Sequence, residues 1–183
     1  MKVKLVNVRL AFPQLFEATT VNGEGKPAFS ASFLIDPNDP QVATINAAID
    51  QVAKDKWGAK AADQLKSMRK GDKVALHDGD LKSQYAGFEG MVYVSSRNAV
   101  RPVVIDRDKS ALAEADGKPY AGCYVNATVE LWAQDNNYGK RVNASLTALQ
   151  FLRDGDAFAG GAMGDADDFD DIAEGADADA ELA

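Results

Sequence analysis

The feature that most restricts this chain is an abrupt change of charge at Asp154. From there to the C-terminus come eleven acidic residues and neither lysine nor arginine, among Gly160, Gly161, Gly164, Gly175 and many alanines. Met163, Phe169, Ile172 and Leu182 are too scattered to bury the area that would offset the entropy of ordering such a segment. The reading is therefore a folded domain over residues 1–153 and a disordered acidic tail over residues 154–183. The body keeps 17 acidic residues against all 20 bases, a net +3, so an overall charge of −8 and a pI near 4.6 conceal a mildly basic domain. A tail of this charge beside a basic surface is attracted to it and competes there with any other polyanion. Its bland role is that of a solubilising appendage.

With 183 residues, 46% hydrophobic and 26% charged, the composition is that of one water-soluble core. No apolar run approaches the roughly 18 to 20 residues of a membrane span, so no membrane association is expected. Met1-Lys2-Val3-Lys4-Leu5 turns polar at Asn7 and Arg9 without a signal-peptide core, which points to the cytoplasm. A lone cysteine, Cys123, and a lone histidine, His77, rule out an internal disulfide and a Cys/His zinc cluster; no cofactor and no metal are expected. Cys123 falls on the apolar side of its strand, as a small core residue does.

Enzymatic readings lack their parts. Gly23-Glu24-Gly25-Lys26 resembles a phosphate loop, but the earlier glycine is missing, Pro27 stands where a Ser or Thr would hold magnesium, and a strand follows. It reads as a hairpin turn. Asp78-Gly79-Asp80 and the tail aspartates do not have calcium-loop spacing. His77 beside Asp78 has no placed nucleophile and reads as a surface or strand-end histidine; with Asp78 and Asp80 it would serve a metal-dependent nuclease, the weakest of the functional readings.

The body reads as strands with one clear helix. In 28–35, Phe29, Ala31, Phe33 and Ile35 share one face and Ser30 and Ser32 the other. Asp39 as N-cap and Pro40 at the first helical position open a helix in which Val42, Ile45, Ile49 and Val52 recur at helical spacing, closed by Gly58 after Trp57. A second short helix is expected over about 59–68, before Gly71-Asp72. Strands follow at 73–77, 90–96, 100–105, 122–132 and 141–152. Strands and helices do not alternate, so the expected fold class is mainly β with one or two helices, an OB-fold: a five-stranded Greek-key barrel with insertions.

The anomaly is aromatic rings on faces that should be polar. Along 123–132 the apolar face collects Cys123, Val125, Ala127, Val129 and Leu131, while Tyr124 and Trp132 share the other with Asn126, Thr128 and Glu130. Tyr93 lies on the side of Ser95 and Arg97, with Arg101 following, and the turn 135–141 places Tyr138 next to Lys140 and Arg141. Rings interleaved with bases are what a stacking platform for single-stranded nucleic acid requires, because every base has a π-face and every phosphate a charge. Tyr93, Tyr124, Trp132 and Tyr138 are the expected stacking residues. Arg97, Arg101, Lys140 and Arg141, and more weakly Lys82 and Arg9, are the expected phosphate contacts. Phe12, Tyr85 and Tyr120, near glycines or prolines, either clamp a base or anchor their loops. The bland alternative is that such rings cover a second small core or a subunit contact.

The order of segments adds a family likeness. Val8-Arg9-Leu10-Ala11-Phe12-Pro13-Gln14-Leu15-Phe16, then Gly25-Lys26-Pro27 leading into 29–35, Lys56-Trp57-Gly58, Gly87-Phe88-Glu89-Gly90, Val94-Ser95-Ser96 before Arg101-Pro102, Tyr120 to Ala127, Leu149-Gln150-Phe151 and the acidic end with Asp167-Asp168-Phe169 resemble a phage family of single-stranded-DNA-binding proteins, formerly a domain of unknown function. The resemblance covers nearly the whole chain. It implies an OB-fold that coats single-stranded DNA in phage replication or recombination inside the bacterial host, with an acidic end (Asp167, Asp168, Phe169, Asp170 and Asp171) that meets partner proteins and restrains the groove. A homo-oligomer along the strand is compatible with that reading. One departure is that Ile172 to Ala183 extend past Phe169, which puts in doubt a partner reading a terminal aromatic carboxylate. The rival function is a DNA-mimicking interaction protein that acts through the acidic tail.

Overall fold

The computed structural model describes residues 1–21 and 23–158. Lys2–Val21 form one strand of 20 residues, β1. The alternation test misses this strand, because its period of two is broken twice. Val3 and Leu5 point inward, but so do Val8 and Leu10, and the phase slips at Asn7, whose φ is 53°. A second slip follows at Phe12, with φ 49°. Both residues sit at β-bulges, where register shifts occur between Leu5 and Val8 and between Ala11 and Gln14. A left-handed backbone costs a non-glycine residue roughly 1–2 kcal/mol, so the surroundings must hold these bends. At the first, the Gln41 side chain replaces a strand partner: its Oε1 accepts from Val6 N and its Nε2 donates to Val6 O, each at 2.7 Å. Asn126 Oδ1 accepts from Asn7 N at 3.0 Å.

Val21 pairs with Glu24 across the hairpin, so the turn is tighter than the expected Gly23-Glu24-Gly25-Lys26: Gly23, at φ 74°, lies in it, and Glu24 already opens the next strand. That strand is β2, Glu24–Ile35. Helix α1, Pro40–Trp57, begins as predicted, with Asp39 accepting from Gln41 N at 2.9 Å, and ends at Gly58. Its Ile45, Ile49 and Val52 pack into the main core. Helix α2 covers Ala61–Lys70. Then come β3 (Leu76–Asp78), β4 (Val92–Asn98), β5 (Val103–Ile105), β6 (Tyr124–Asn136) and β7 (Gly139–Arg153).

The sheet order is β3-β4-β2-β1-β6-β7-β5, and its curvature brings β4 against β7. Asn98 Nδ2 donates to Leu146 O at 2.9 Å across this seam, and Val142 N donates to Lys73 O at 3.1 Å beside it. The ring β1-β2-β4-β7-β6 is the expected five-stranded OB barrel, and β3 and β5 are short additions at the edges left over. Leu5, Leu10, Phe33, Leu131, Leu146 and Phe151 fill the interior, with α1 across it. A smaller cluster of Ala11, Leu34, Phe88 and Tyr93 lies outside the barrel wall.

The described chain runs past the expected boundary at Arg153, and residues 154–158 form a strap along the barrel. Tyr120 Oη donates to Asp154 Oδ1 at 2.7 Å, Phe158 N donates to Ala121 O at 3.0 Å, and the Phe158 ring joins the smaller cluster. The domain therefore extends at least to Phe158, because the strap has its own backbone partners and an apolar anchor. The remainder of the tail, including the expected partner segment 167–171, lies outside the described residues.

Cys123 is fully buried, and burial pushes its thiol from an ordinary 9.0 up to about 11. The unfolded thiol ionises first, so this group's contribution to stability is complete below about pH 9 and is lost as pH rises toward about 11. A thiol reagent at neutral pH should label Cys123 only as fast as the domain opens; rapid stoichiometric labelling of the native protein contradicts the burial.

Candidate nucleic-acid interface

The outer face of β2 and β4 is unusually plain. Ser30 pairs with Arg97, Ser32 with Ser95 and Leu34 with Tyr93, so small hydroxyls make a shallow floor. The β1–β2 hairpin forms one boundary and the β6–β7 hairpin another. Together they enclose an open groove of about 960 Å³. Along β6, Trp132 and Gln134 face it with their cross-strand partners Asn143 and Arg141. Trp132 is 44% exposed, and Tyr138, at the hairpin tip, is 88% exposed.

Lys26, Lys73, Lys82, Arg97 and Arg141 line the groove, against Glu24 and Asp72. Asp72 is engaged with His77, whose Nδ1 lies 2.5 Å from Asp72 Oδ1 and whose Nε2 lies 2.8 Å from Ser95 Oγ. Arg97 donates to the Lys26 carbonyl at 2.9 Å, which fixes its guanidinium without neutralising it. Among the described residues, no carboxylate lies within ion-pair distance of Lys82, Arg97 or Arg141. A groove with exposed rings, uncompensated cations and hydroxyls can hold a flexible polyanion that carries flat apolar groups.

Five of the ten expected stacking and phosphate residues line this groove: Trp132, Tyr138, Lys82, Arg97 and Arg141. The others do not. Tyr93 requires correction as an open ring: it is 3% exposed, stacked on His77 at 4.8 Å and edge-on to Phe88 at 5.1 Å. Burial and the charges of Asp72 and Asp78 raise its phenol above the usual tyrosine value. Its strand face is polar in sequence, but the distant Phe88 covers it. Tyr124 does share a strand face with Trp132, yet eight residues at about 3.3 Å each put the two roughly 26 Å apart. Tyr124 instead carries the Arg153 guanidinium 3.6 Å from its ring centre and Arg9 at 5.7 Å. Arg9 also lies 4.2 Å over Phe158 and donates to Gly122 O and Asp156 O, so in this structure it holds the strap. Arg101 donates to the Phe16 carbonyl, away from the groove. Lys140 pairs with Asp135 in the ladder and falls on the other side of β7 from Arg141.

Tyr120 anchors the strap, which resolves one of the two roles open to it. Phe12, for which the sequence leaves a clamp and an anchor equally open, lines the groove, presented by a bulge that no sequence periodicity encodes. Lys26 and Lys73 were missed, since no ring stands beside either in sequence. Asp78 Oδ1 accepts from Asp80 N, and Asp80 Oδ1 accepts from Gly90 N at 2.8 Å, so these carboxylates brace the loop that follows β3.

Comparison with known proteins gives this geometry its context. The family model described as Enterobacter phage Enc34, ssDNA-binding protein, matches residues 1–181. Protein p50 of Acyrthosiphon pisum secondary endosymbiont phage 1 is 48% identical over 175 residues, 94% of each chain. The structure of the single-stranded DNA-binding protein of bacteriophage Enc34 in complex with ssDNA is similar with a TM-score of 0.72 and 27% identity, covering 86% of this chain and 89% of that one. The gp2.5 single-stranded DNA-binding protein of bacteriophage T7 shares the fold at a TM-score of 0.58 and 13% identity, over 93% and 96%.

Gly122 tests the strap. At φ 104°, a Cβ there would come within 2.2 Å of the Asp156 carbonyl oxygen. Gly122→Ala should therefore displace residues 154–158 and abolish hydrogen-exchange protection of the Phe158 amide while the barrel amides stay protected; unchanged protection at Phe158 refutes the packing described. With the groove, the barrel order and a match over residues 1–181 in agreement, the chain belongs to the family of the Enterobacter phage Enc34 ssDNA-binding protein.

Proposed function

We propose that this chain is a noncatalytic, sequence-tolerant single-stranded-DNA-binding protein of phage replication or recombination, working in the host cytoplasm. The observation that carries the reading is the groove, in which Trp132 and Tyr138 stand open among Lys26, Lys73, Lys82, Arg97 and Arg141. Bases stack on the rings and phosphates meet the cations. The plain serine floor offers no dense pattern of directional groups to select one base over another. A relative of similar fold described in complex with ssDNA supports the assignment.

The acidic tail completes the proposal. It competes with DNA for the cationic groove, and when DNA displaces it, 167–171 become available to replication or recombination partners. The strap supports this role by rooting the tail at Phe158, in the same apolar cluster as Phe88 and Tyr93. From there the first downstream carboxylate, Asp165, is seven residues on, a reach of up to about 25 Å.

Oligo-dT titrations followed by tryptophan fluorescence test this, in a Trp57→Phe background so that Trp132 reports alone. Replacing Trp132 by Ala, read by an end-labelled oligonucleotide, should weaken binding by about 1–3 kcal/mol. Five phosphate contacts would give a log–log salt slope of about −3.5. Truncation after Phe158, which keeps the strap, should tighten binding most at low salt. If the truncated protein fails to bind oligo-dT at any salt concentration, the assignment is wrong.

A further inference from the structure

One exposed aromatic cluster is left unused by the β6–β7 end of the groove. Phe12 and Tyr85 are each 45% exposed, and their rings meet edge to face with centres 5.0 Å apart. Beneath them Phe88, 1% exposed, already fills the apolar cluster, so neither ring is needed to complete it. Lys82 Nζ stands 5.8 Å from the Phe12 ring centre and 5.3 Å from that of Tyr93. Phe12, on β1, and Lys82, in the turn after β3, line the same groove as Trp132 and Tyr138; β1 pairs with β6 on its other side, but the groove runs the other way round the barrel, over β2, β4 and β7.

Both rings are held in place. Phe12 is presented by a left-handed bulge residue, a conformation that a phenylalanine adopts only where its surroundings enforce it. Tyr85 rides on a loop closed at its base, where Gly79 N donates to Met91 O at 2.7 Å and Gly90 N to Asp80 Oδ1. A Cβ at Gly79 would come within 2.1 Å of the Phe88 carbonyl oxygen, so the closure is tight. Rigid rings with an open surface and a cation alongside meet the requirements for stacking a base and holding its phosphate.

We infer that Phe12, Tyr85 and Lys82 form a second base-holding station, across the groove from Trp132 and Tyr138, which takes a nucleobase of the same DNA strand. Followed along the groove, from β1 over β2, β4 and β7 to β6, the barrel wall takes four strand-to-strand steps of about 4.8 Å, a path of roughly 19 Å. One strand therefore crosses β2, β4 and β7 between two stacking sites. This inference rests on the proposed DNA-binding function.

The test uses the full chain and two lengths of oligo-dT, one too short to bridge the stations and one long enough. Phe12→Asn removes the ring yet keeps a residue that tolerates positive φ, and Tyr85→Ala removes its exposed partner. Each should weaken the long oligonucleotide by about 5- to 150-fold and erase most of its advantage over the short one, which can occupy only one station at a time. Photocrosslinking of oligo-dT bearing 5-iododeoxyuridine to the unaltered chain should label peptides containing Phe12 or Tyr85, a readout independent of how the variants fold. Equal binding of the long oligonucleotide by folded variants and parent, or crosslinks confined to the β6–β7 hairpin, overturns the second station and leaves DNA binding standing. Failure of the parent chain to bind either length overturns the underlying function instead.

Discussion

The barrel depends on one strand being shared. β1 pairs with β6 over its first half and with β2 over its second, and a flat strand cannot do both while the sheet closes on itself. The bends at Asn7 and Phe12 make the turn. Each costs backbone strain and ladder hydrogen bonds, and at the first bend the structure returns those bonds from side chains, Gln41 of α1 and Asn126 of β6. The inserted helix thus has two tasks: it covers the barrel with Ile45, Ile49 and Val52, and it repairs the bulge that lets the barrel close. The second bend presents Phe12 at the groove, so the same curvature supplies both architecture and surface.

Local patterns carried much of the fold into the sequence. Asp39-Pro40 and the spacing of Ile45, Ile49 and Val52 announce α1, and the alternation of β6 shows which side is buried; β2 alternates in sequence, yet its residues 31–35 are all buried, Leu34 within the smaller cluster of Phe88 and Tyr93. β1 stayed hidden because two left-handed residues destroy the pattern that strand detection uses. The candidate site divided for a related reason. Alternation identifies a face, and a face on a curved barrel spans several sites. Trp132 and Tyr124 share one in sequence, yet the first reaches the groove and the second lies under Arg153. Tyr93 also obeyed its alternation, but the ring that buries it, Phe88, arrives from a loop whose packing no periodicity encodes.

The division of cations is equally informative. Arg97 and Arg9 both donate to backbone carbonyls, which orient a guanidinium while leaving its charge available. At Arg97 that charge faces the groove. At Arg9 it lies between Tyr124 and Phe158, where it holds the root of an acidic segment against the body. Similar chemistry serves an open surface in one place and a clasp in the other, and the difference follows from where the bent strand delivers each residue.

The same clasp sets a timetable for synthesis. Arg9 meets Asp156 across 147 positions of chain, and Lys2 waits for Glu130 before β1 gains its outer neighbour. As the polypeptide leaves the ribosome, β1 and β2 can form a hairpin early, but an edge of β1 stays without a partner until β6 emerges, and the strap can dock only after β7. Such distant pairings form slowly and leave sheet edges open to other chains meanwhile. The acidic residues from Asp165 onward follow the strap in the chain, so the last strand of the barrel, β7, is already made when they are translated.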